Sequence, residues 1–367
     1  MRRGGSRIVG ALVASAAVAT AVGLVVVVPG SGAASASPRD PGIAAGGKVT
    51  CTARPAIKPP PRGVLKAVPV RDDRDGTEET QTTGSAVTIK PVCPLGEVPV
   101  ITTSPRGLPK GNPDRPRGVR GDFGVLAGAR IDGPADPACD GVTYPDVPGW
   151  CYYYAGASDV RTAQGGGHTM TIERPVLAGG GHSLEEMSVQ AGPNNGNIVE
   201  IGSSVSSGND PQLFVYHWIS WGQTCYSCDF QQWSNTYYPG MDLASLAGQQ
   251  VYNGYVFYQG NWWAWFNDQW VGYFPGSLWK GQFQTSQKIQ WFGEVATQNG
   301  VPPLTQMGDG LFASDPVAAP MSTLCDVDAA AWRCFYYDQQ SPYQTDTQFY
   351  TVAHPGFGAI RLGGPGS

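Results

Sequence analysis

The chain has 367 residues, a net charge of −5 and only 14% charged residues, with 50 glycines, 31 prolines and eleven tryptophans. Its charge is unevenly divided: residues 37–140 carry 15 Lys+Arg against 12 Asp+Glu, net +3, whereas residues 141–367 carry 6 against 17, net −11. The acidic half argues against nucleic acid as its partner, and a basic segment ahead of an acidic one suggests that the two dock on each other.

Residues 1–36 read as a secretory signal peptide. Arg2, Arg3 and Arg7 precede an apolar run from Ile8 to Val28, and Ala34-Ser35-Ala36 supplies small residues for cleavage. A retained membrane anchor is the alternative. Export makes the eight cysteines candidates for disulfides, and proximity suggests Cys51–Cys93, Cys139–Cys151, Cys225–Cys228 and Cys325–Cys334. The Cys225–Cys228 spacing also fits half a zinc site, but no second CxxC completes one, so no metal is expected.

Residues 37–138 are rich in proline, glycine and charge, with segments such as KPPPRG and SPRGLPKGNPDRPRG. Strand-like runs at Ala86–Val92 and Glu97–Thr102 and the Cys51–Cys93 pair indicate a small, partly ordered unit. From residue 139 to 367 the texture is short aromatic and β-branched runs broken by Gly, Asn and Pro, including Trp150–Tyr154, Gln212–Trp218, Gly254–Tyr258 and Lys288–Glu294. No helical periodicity lasts three turns. The pattern predicts one all-β domain, an antiparallel sandwich.

Six tryptophans lie between Gly254 and Glu294. Two aromatic runs there flank Asn267-Asp268, a two-residue hairpin loop. That loop predicts Trp265 opposite Trp270 and Trp262 opposite Tyr273, in a hairpin covered on both faces and central to the sandwich.

The HExxH, GxSxG and phosphate-loop signatures are absent. His168 and His182 follow the glycine triplets Gly165–Gly167 and Gly179–Gly181, which read as hairpin turns, and His217 reads as a packed strand residue. Of the five glutamates beyond residue 140, Glu200 and Glu294 stand inside apolar strand-like segments, where burial raises a carboxyl pKa and a pair can divide acid and base roles.

Several segments, in order, resemble the neprosin family of glutamic peptidases. Cys93-Pro-Leu-Gly-Glu-Val-Pro-Val100 resembles the family's proregion segment CPxGTIPI, and Tyr154-Ala155 with Gly167–Val176 resembles the start of its catalytic domain. His182–Val189 is similar to its SLSQIWV strand and Asn197-Ile-Val-Glu-Ile-Gly202 to its TIEAGW. Gly260-Asn-Trp-Trp263 with Val271-Gly-Tyr-Phe-Pro275 and Ser277-Leu278 resembles GNWW…GYWP…LF, and Phe292-Gly-Glu-Val295 resembles WGGEV. Ser203, Glu186 and Ser188 depart from the family's tryptophan, glutamine and tryptophan.

The resemblance implies a β-sandwich whose concave face carries the dyad Glu200 and Glu294. In that dyad Glu294 is the base and Glu200 the oxyanion partner, and no cofactor is needed. Glu186 is placed at the cleft edge, and Trp262, Trp263 and Tyr273 are candidates for a proline-accepting pocket. The implied protein is a secreted, acid-active, monomeric endopeptidase that cleaves peptide or protein substrates after proline. It is made as a zymogen with residues 37–138 as its own inhibitor, cut between Arg106 and Arg130, and has no stable membrane association once the signal is removed. The rival readings are a β-sandwich glycosidase, also built on two carboxylates, and a non-catalytic carbohydrate-binding module.

Overall fold

The computed structural model describes residues 49–65, 67–69, 87–101, 110–114, 139–144, 147–178, 181–192, 195–206, 208, 210–298, 303–336 and 340–366. The expected signal segment 1–36 and most of the expected processing stretch lie outside them. Among the described residues no helix is long and apolar enough to cross a membrane.

In chain order the strands are β1 (Val49–Ala53), β2 (Ala67–Pro69), β3 (Glu97–Ile101), β4 (Trp150–Asp159), β5 (Gly165–Thr171) and β6 (His182–Gly192). Next come β7 (Asn195–Val205), β8 (Gln212–Trp218), β9 (Gln231–Gln232), β10 (Gln250–Tyr258), β11 (Asn261–Phe266) and β12 (Gln269–Pro275). Last are β13 (Lys288–Gln298), β14 (Pro320–Asp328), β15 (Arg333–Tyr336), β16 (Ser341–Gln344), β17 (Thr351–Gly356) and β18 (Ala359–Gly363). Strands β1 and β3 pair with each other. A ten-stranded sheet runs β17-β18-β14-β5-β10-β11-β12-β9, with β15 on β14 and β2 on β15. A six-stranded sheet runs β16-β4-β13-β6-β7-β8. The expected antiparallel sandwich is the architecture found; among the described strands only β2 pairs parallel.

Period-two alternation sorts the six-stranded sheet into two faces. Tyr153, Met187, Val189, Val199, Ile201, Val215, Trp291 and Val295 join Val251, Tyr255, Trp262 and Phe274 of the larger sheet in the main core. The alternate residues, among them Tyr154, Glu186, Glu200, Tyr216 and Glu294, turn to the opposite face and are also buried.

The triplet Gly165–Gly167 is no turn. It lies within β5, because the two sheets approach too closely there for side chains. A Cβ at Gly166 would stand 2.6 Å from Ile289 Cδ1, and Trp291 Nε1 donates across the gap to the Gly167 carbonyl at 3.3 Å. Gly179 and Gly180 lie outside the described residues. Residues 87–92 form no strand; the Val92 and Cys93 amides bond instead to the Asn235 carbonyl.

The Asn267-Asp268 loop has positive φ at both residues, 41° and 73°, and pairs Trp265 with Trp270, whose rings meet edge to face at 4.8 Å. Beyond it a bulge shifts the register by one, so Trp262 pairs with Phe274, and Tyr273 pairs with Trp263. The hairpin is not central: only the two-residue β9 lies beyond it. Its inner face meets the core. Its outer face is covered by Ile57, Val64 and Leu65 of the N-terminal segment. All four expected disulfides are formed.

Candidate active site

The three strands at the middle of the six-stranded sheet each place one glutamate on the face away from the main core. Glu294 is on β13, Glu186 on β6 and Glu200 on β7. The register puts Glu186 opposite Phe292 and Gly202, and Glu200 opposite Ser188 and Tyr216, so the three run diagonally across adjacent strands. Gly202 makes room for this, since a Cβ there would meet Glu186 Cβ at 2.8 Å. All three carboxylates are fully buried.

Burial of three acids without a counter-charge is costly, and the counter-charge comes from the N-terminal segment. Lys110 Nζ lies 2.5 Å from Glu186 Oε1, 3.2 Å from Glu294 Oε2 and 3.6 Å from Glu200 Oε2. The last two oxygens are therefore at most 6.8 Å apart, the sum of their distances to that nitrogen. An atom in the place of that nitrogen stands within 3.6 Å of both. Asn112 Nδ2 donates to Glu200 Oε1 at 2.9 Å, and the Gly111 amide donates to Glu294 Oε1 at 3.4 Å.

The domain in turn holds this segment. Gln223 Nε2 donates to the Lys110 carbonyl at 2.8 Å, the Tyr144 hydroxyl donates to the Asn112 carbonyl at 2.5 Å, and Lys288 Nζ meets Asp114 at 2.6 Å. Glycine is required at 111, because a Cβ there would run into the Tyr154 hydroxyl and stand 2.7 Å from the Tyr152 ring.

The electrostatics separate the acids. Burial alone would raise the Glu294 pKa, but Lys110 and a 2.7 Å hydrogen bond from His182 Nε2 outweigh it and hold the carboxyl below its ordinary value. Burial keeps Glu200 raised, although Lys110, Asn112 and Trp218 oppose it. Burial raises Glu186 furthest from the usual range, against Lys110 and helped by the other two carboxylates. For Lys110, burial is overcome by the three glutamates, so the ammonium stays charged.

The structure thus brings Glu200, Glu294 and Glu186 together. Glu186 sits between the other two strands, not at an edge, because β6 lies between β13 and β7. Glu185 points the other way, toward Glu173 and Asp309, with its pKa raised by burial and by those acids. Trp262, Trp263 and Tyr273 belong to the other sheet and do not line this site. Trp262 fills the main core and donates to the Phe283 carbonyl, and Trp263 and Tyr273 pack with tilted rings 4.7 Å apart on that sheet's outer face. The aromatics beside the glutamates are instead Tyr152, Tyr154 and Phe292 on one side and Phe214, Tyr216 and Trp218 on the other.

Sequence reasoning missed Lys110, Asn112 and the role of His182, which opens β6 and is buried. Lys110 was one of 15 basic residues in its stretch. Its one local signal was Lys-Gly-Asn between two prolines. His217 is packed as expected, between Phe274 and Trp279, and burial pushes it down to about 4.

A two-sheet all-β fold that buries Glu186, Glu200 and Glu294 together on one face defines a class of carboxylate-based proteins. The family described as Neprosin matches residues 179–365, and the chain belongs to that family. It is accordingly a peptidase of the glutamic type. Two solved structures have a distantly similar fold. One is a scytalido-glutamic peptidase with a transition-state analog inhibitor, at TM-score 0.39 and 8% identity, covering 58% of this chain and 98% of that one. The other is SCP-B of the Eqolisin family in complex with the tripeptide Ala-Ile-His, at 0.38 and 7%, with the same coverage.

Proposed function

We propose that the chain is a secreted, acid-active glutamic endopeptidase made as a zymogen, with residues 37–138 as its proregion. One observation carries this reading: a lysine from the N-terminal segment is buried among Glu186, Glu200 and Glu294, where a substrate would have to lie. A permanently lysine-filled carboxylate cleft would serve no peptidase, so the segment must leave.

With the cleft open, Glu294 is the ionised member, held by His182, and takes a proton from water as the water oxygen attacks the scissile carbonyl. Glu200, kept protonated by burial, donates to the developing oxyanion; a donor at such a position is typically worth 10²–10³ in rate. When the tetrahedral intermediate collapses, Glu294 returns its proton to the leaving amine and Glu200 recovers its own. Glu186 adds a third carboxyl whose raised pKa lets it act as a hydrogen-bond donor. Cleavage after proline would draw on Tyr216 and Trp218, the aromatic residues beside Glu200, in place of Trp262, Trp263 and Tyr273. The proposed enzyme acts as a monomer.

Incubation of the purified full chain at pH 4 with casein and with a proline-containing peptide tests this. Loss of residues 37–138 followed by cleavage is expected. An intact chain that cuts neither substrate, even after the N-terminal segment is removed, would refute it.

A further inference from the structure

Two of the places where the N-terminal segment grips the domain differ in chemistry. The first is the Lys110–Asp114 insertion on the glutamate face. The second lies on the outer face of the ten-stranded sheet, where Trp263, Trp265 and Trp270 form an apolar pad with Trp233, Tyr258 and Tyr273. Val64 and Leu65 are sunk into this pad, 3% and 2% exposed. Trp270 Nε1 donates to the Pro60 carbonyl at 2.9 Å, the Arg54 guanidinium lies 5.2 Å above the Trp233 ring, and β2 extends the sheet along β15.

Between the two grips the Val92 and Cys93 amides bond to the Asn235 carbonyl, and Ile89 and Val92 pack against the main core. A cavity of about 310 Å³ separates β1 and β3 from residues 227–239. The disulfide Cys51–Cys93 ties the pad-bound stretch to β3, so a cut between residues 70 and 86 would not divide the piece.

We propose that the pad is a retention site for the cleaved proregion: after scission between residues 115 and 138 the N-terminal piece stays on the domain, its Lys110 arm free to leave the glutamates while its Pro60–Leu65 stretch remains seated. This rests on the reading of residues 37–138 as a proregion. The two grips differ in chemistry. The insertion depends on carboxylate charge, whereas the pad depends on apolar burial and a neutral hydrogen bond. The ionisable groups facing the pad are Arg54, Arg62 beside Asp268, Tyr252 and Tyr273. Of these, Asp268 alone gains a proton in acid. Acid therefore empties the cleft first, and the retained piece can close it again when the pH rises.

The test uses the full chain nicked by trypsin at neutral pH, where Arg117, Arg120 and Arg130 offer cuts, followed by gel filtration at pH 7 and pH 4. The N-terminal fragment should co-elute with the domain at both. Leu65→Ser should release it at pH 4 at least about tenfold faster, and Trp270→Phe, which removes the indole donor together with part of the ring's apolar bulk, at least roughly three- to tenfold faster. A red shift of tryptophan emission should accompany release. Separation of the wild-type fragment at pH 4, or retention in both variants equal to wild type, would overturn the proposal. Failure of the proregion reading looks different: Lys110→Gln would then leave peptide cleavage by the un-nicked chain unchanged, whatever the fragment does on the column.

Discussion

Replacing Lys110 by glutamine removes the only ammonium within 4 Å of the three glutamates among the described residues. Glu294 is the carboxylate held ionised, so the dominant loss is one buried ion pair at 3.2 Å. Coulomb's law at an effective dielectric constant of 20 makes that attraction about 5 kcal/mol, and desolvation offsets part of it. Breaking one side of a buried pair costs about 3–5 kcal/mol in practice, or roughly a hundredfold to a few thousandfold in the closed-to-open ratio. The glutamine retains a donor, so hydrogen bonding to Glu186 is partly kept and the change reports charge. Full-length Lys110→Gln should cleave a quenched fluorescent peptide at pH 5 within the first minutes, while intact mass still shows the uncut chain. Wild type in that window should be silent. A Lys110→Gln chain as silent as wild type until it is cut would refute the reasoning.

Three further outcomes follow from the same contacts. Gly111→Val should also open the uncut chain, because its side chain cannot pass Tyr154 and Tyr152, yet leave the processed enzyme at wild-type kcat; a silent uncut Gly111→Val chain would contradict the packing. His182→Ala removes a charge-assisted hydrogen bond of roughly 1.5–3 kcal/mol, so the Glu294 pKa should rise. The acid limb of the processed enzyme's pH–rate profile should move up by about one to two pH units, and an unmoved limb would remove His182 from the account. Self-processing should be absent near neutrality and begin as pH falls. Glu294 is depressed, so its contribution to seating Lys110 is full above the ordinary carboxylate range and is lost as pH falls through the lowered value. Glu186 and Glu200 are raised, so their protonated forms are favoured in acid and do not drive release. Lys110 stays charged below its raised value and so contributes at every working pH.

Much of the fold was legible because each strand carries its own period-two pattern. β6 and β7 show which residues face the core, and the same alternation that buries Met187 and Ile201 turns Glu186 and Glu200 to the other side. The hairpin register failed at one residue because Val271 is the extra residue of a bulge, and bulges leave no mark in hydropathy. The Gly165–Gly167 error has a similar origin. A glycine run signals absent side chains, and only the second sheet, with Ile289 and Trp291 pressing on it, shows that close packing is the reason. The convergence of Glu200 and Glu294 was readable because a lone glutamate inside Ile-Val-Glu-Ile or Trp-Phe-Gly-Glu-Val is conspicuous. Lys110 was not readable, since its significance lies in partners 76, 90 and 184 residues away. The tryptophans misled for a related reason: their number marks burial, and part of the cover for their outer face comes from Ile57, Val64 and Leu65.

The central claim is that Glu200 and Glu294 together hydrolyse the peptide bond, and the most direct measurement is kcat/KM of the processed enzyme and its two glutamine variants on one proline-containing peptide at pH 3 to 5. The account predicts cleavage by wild type and rates at background for Glu200→Gln and for Glu294→Gln, with thermal transitions nearly unchanged and no further loss in the double variant, because the two groups act as a unit. Full activity in either single variant would contradict it.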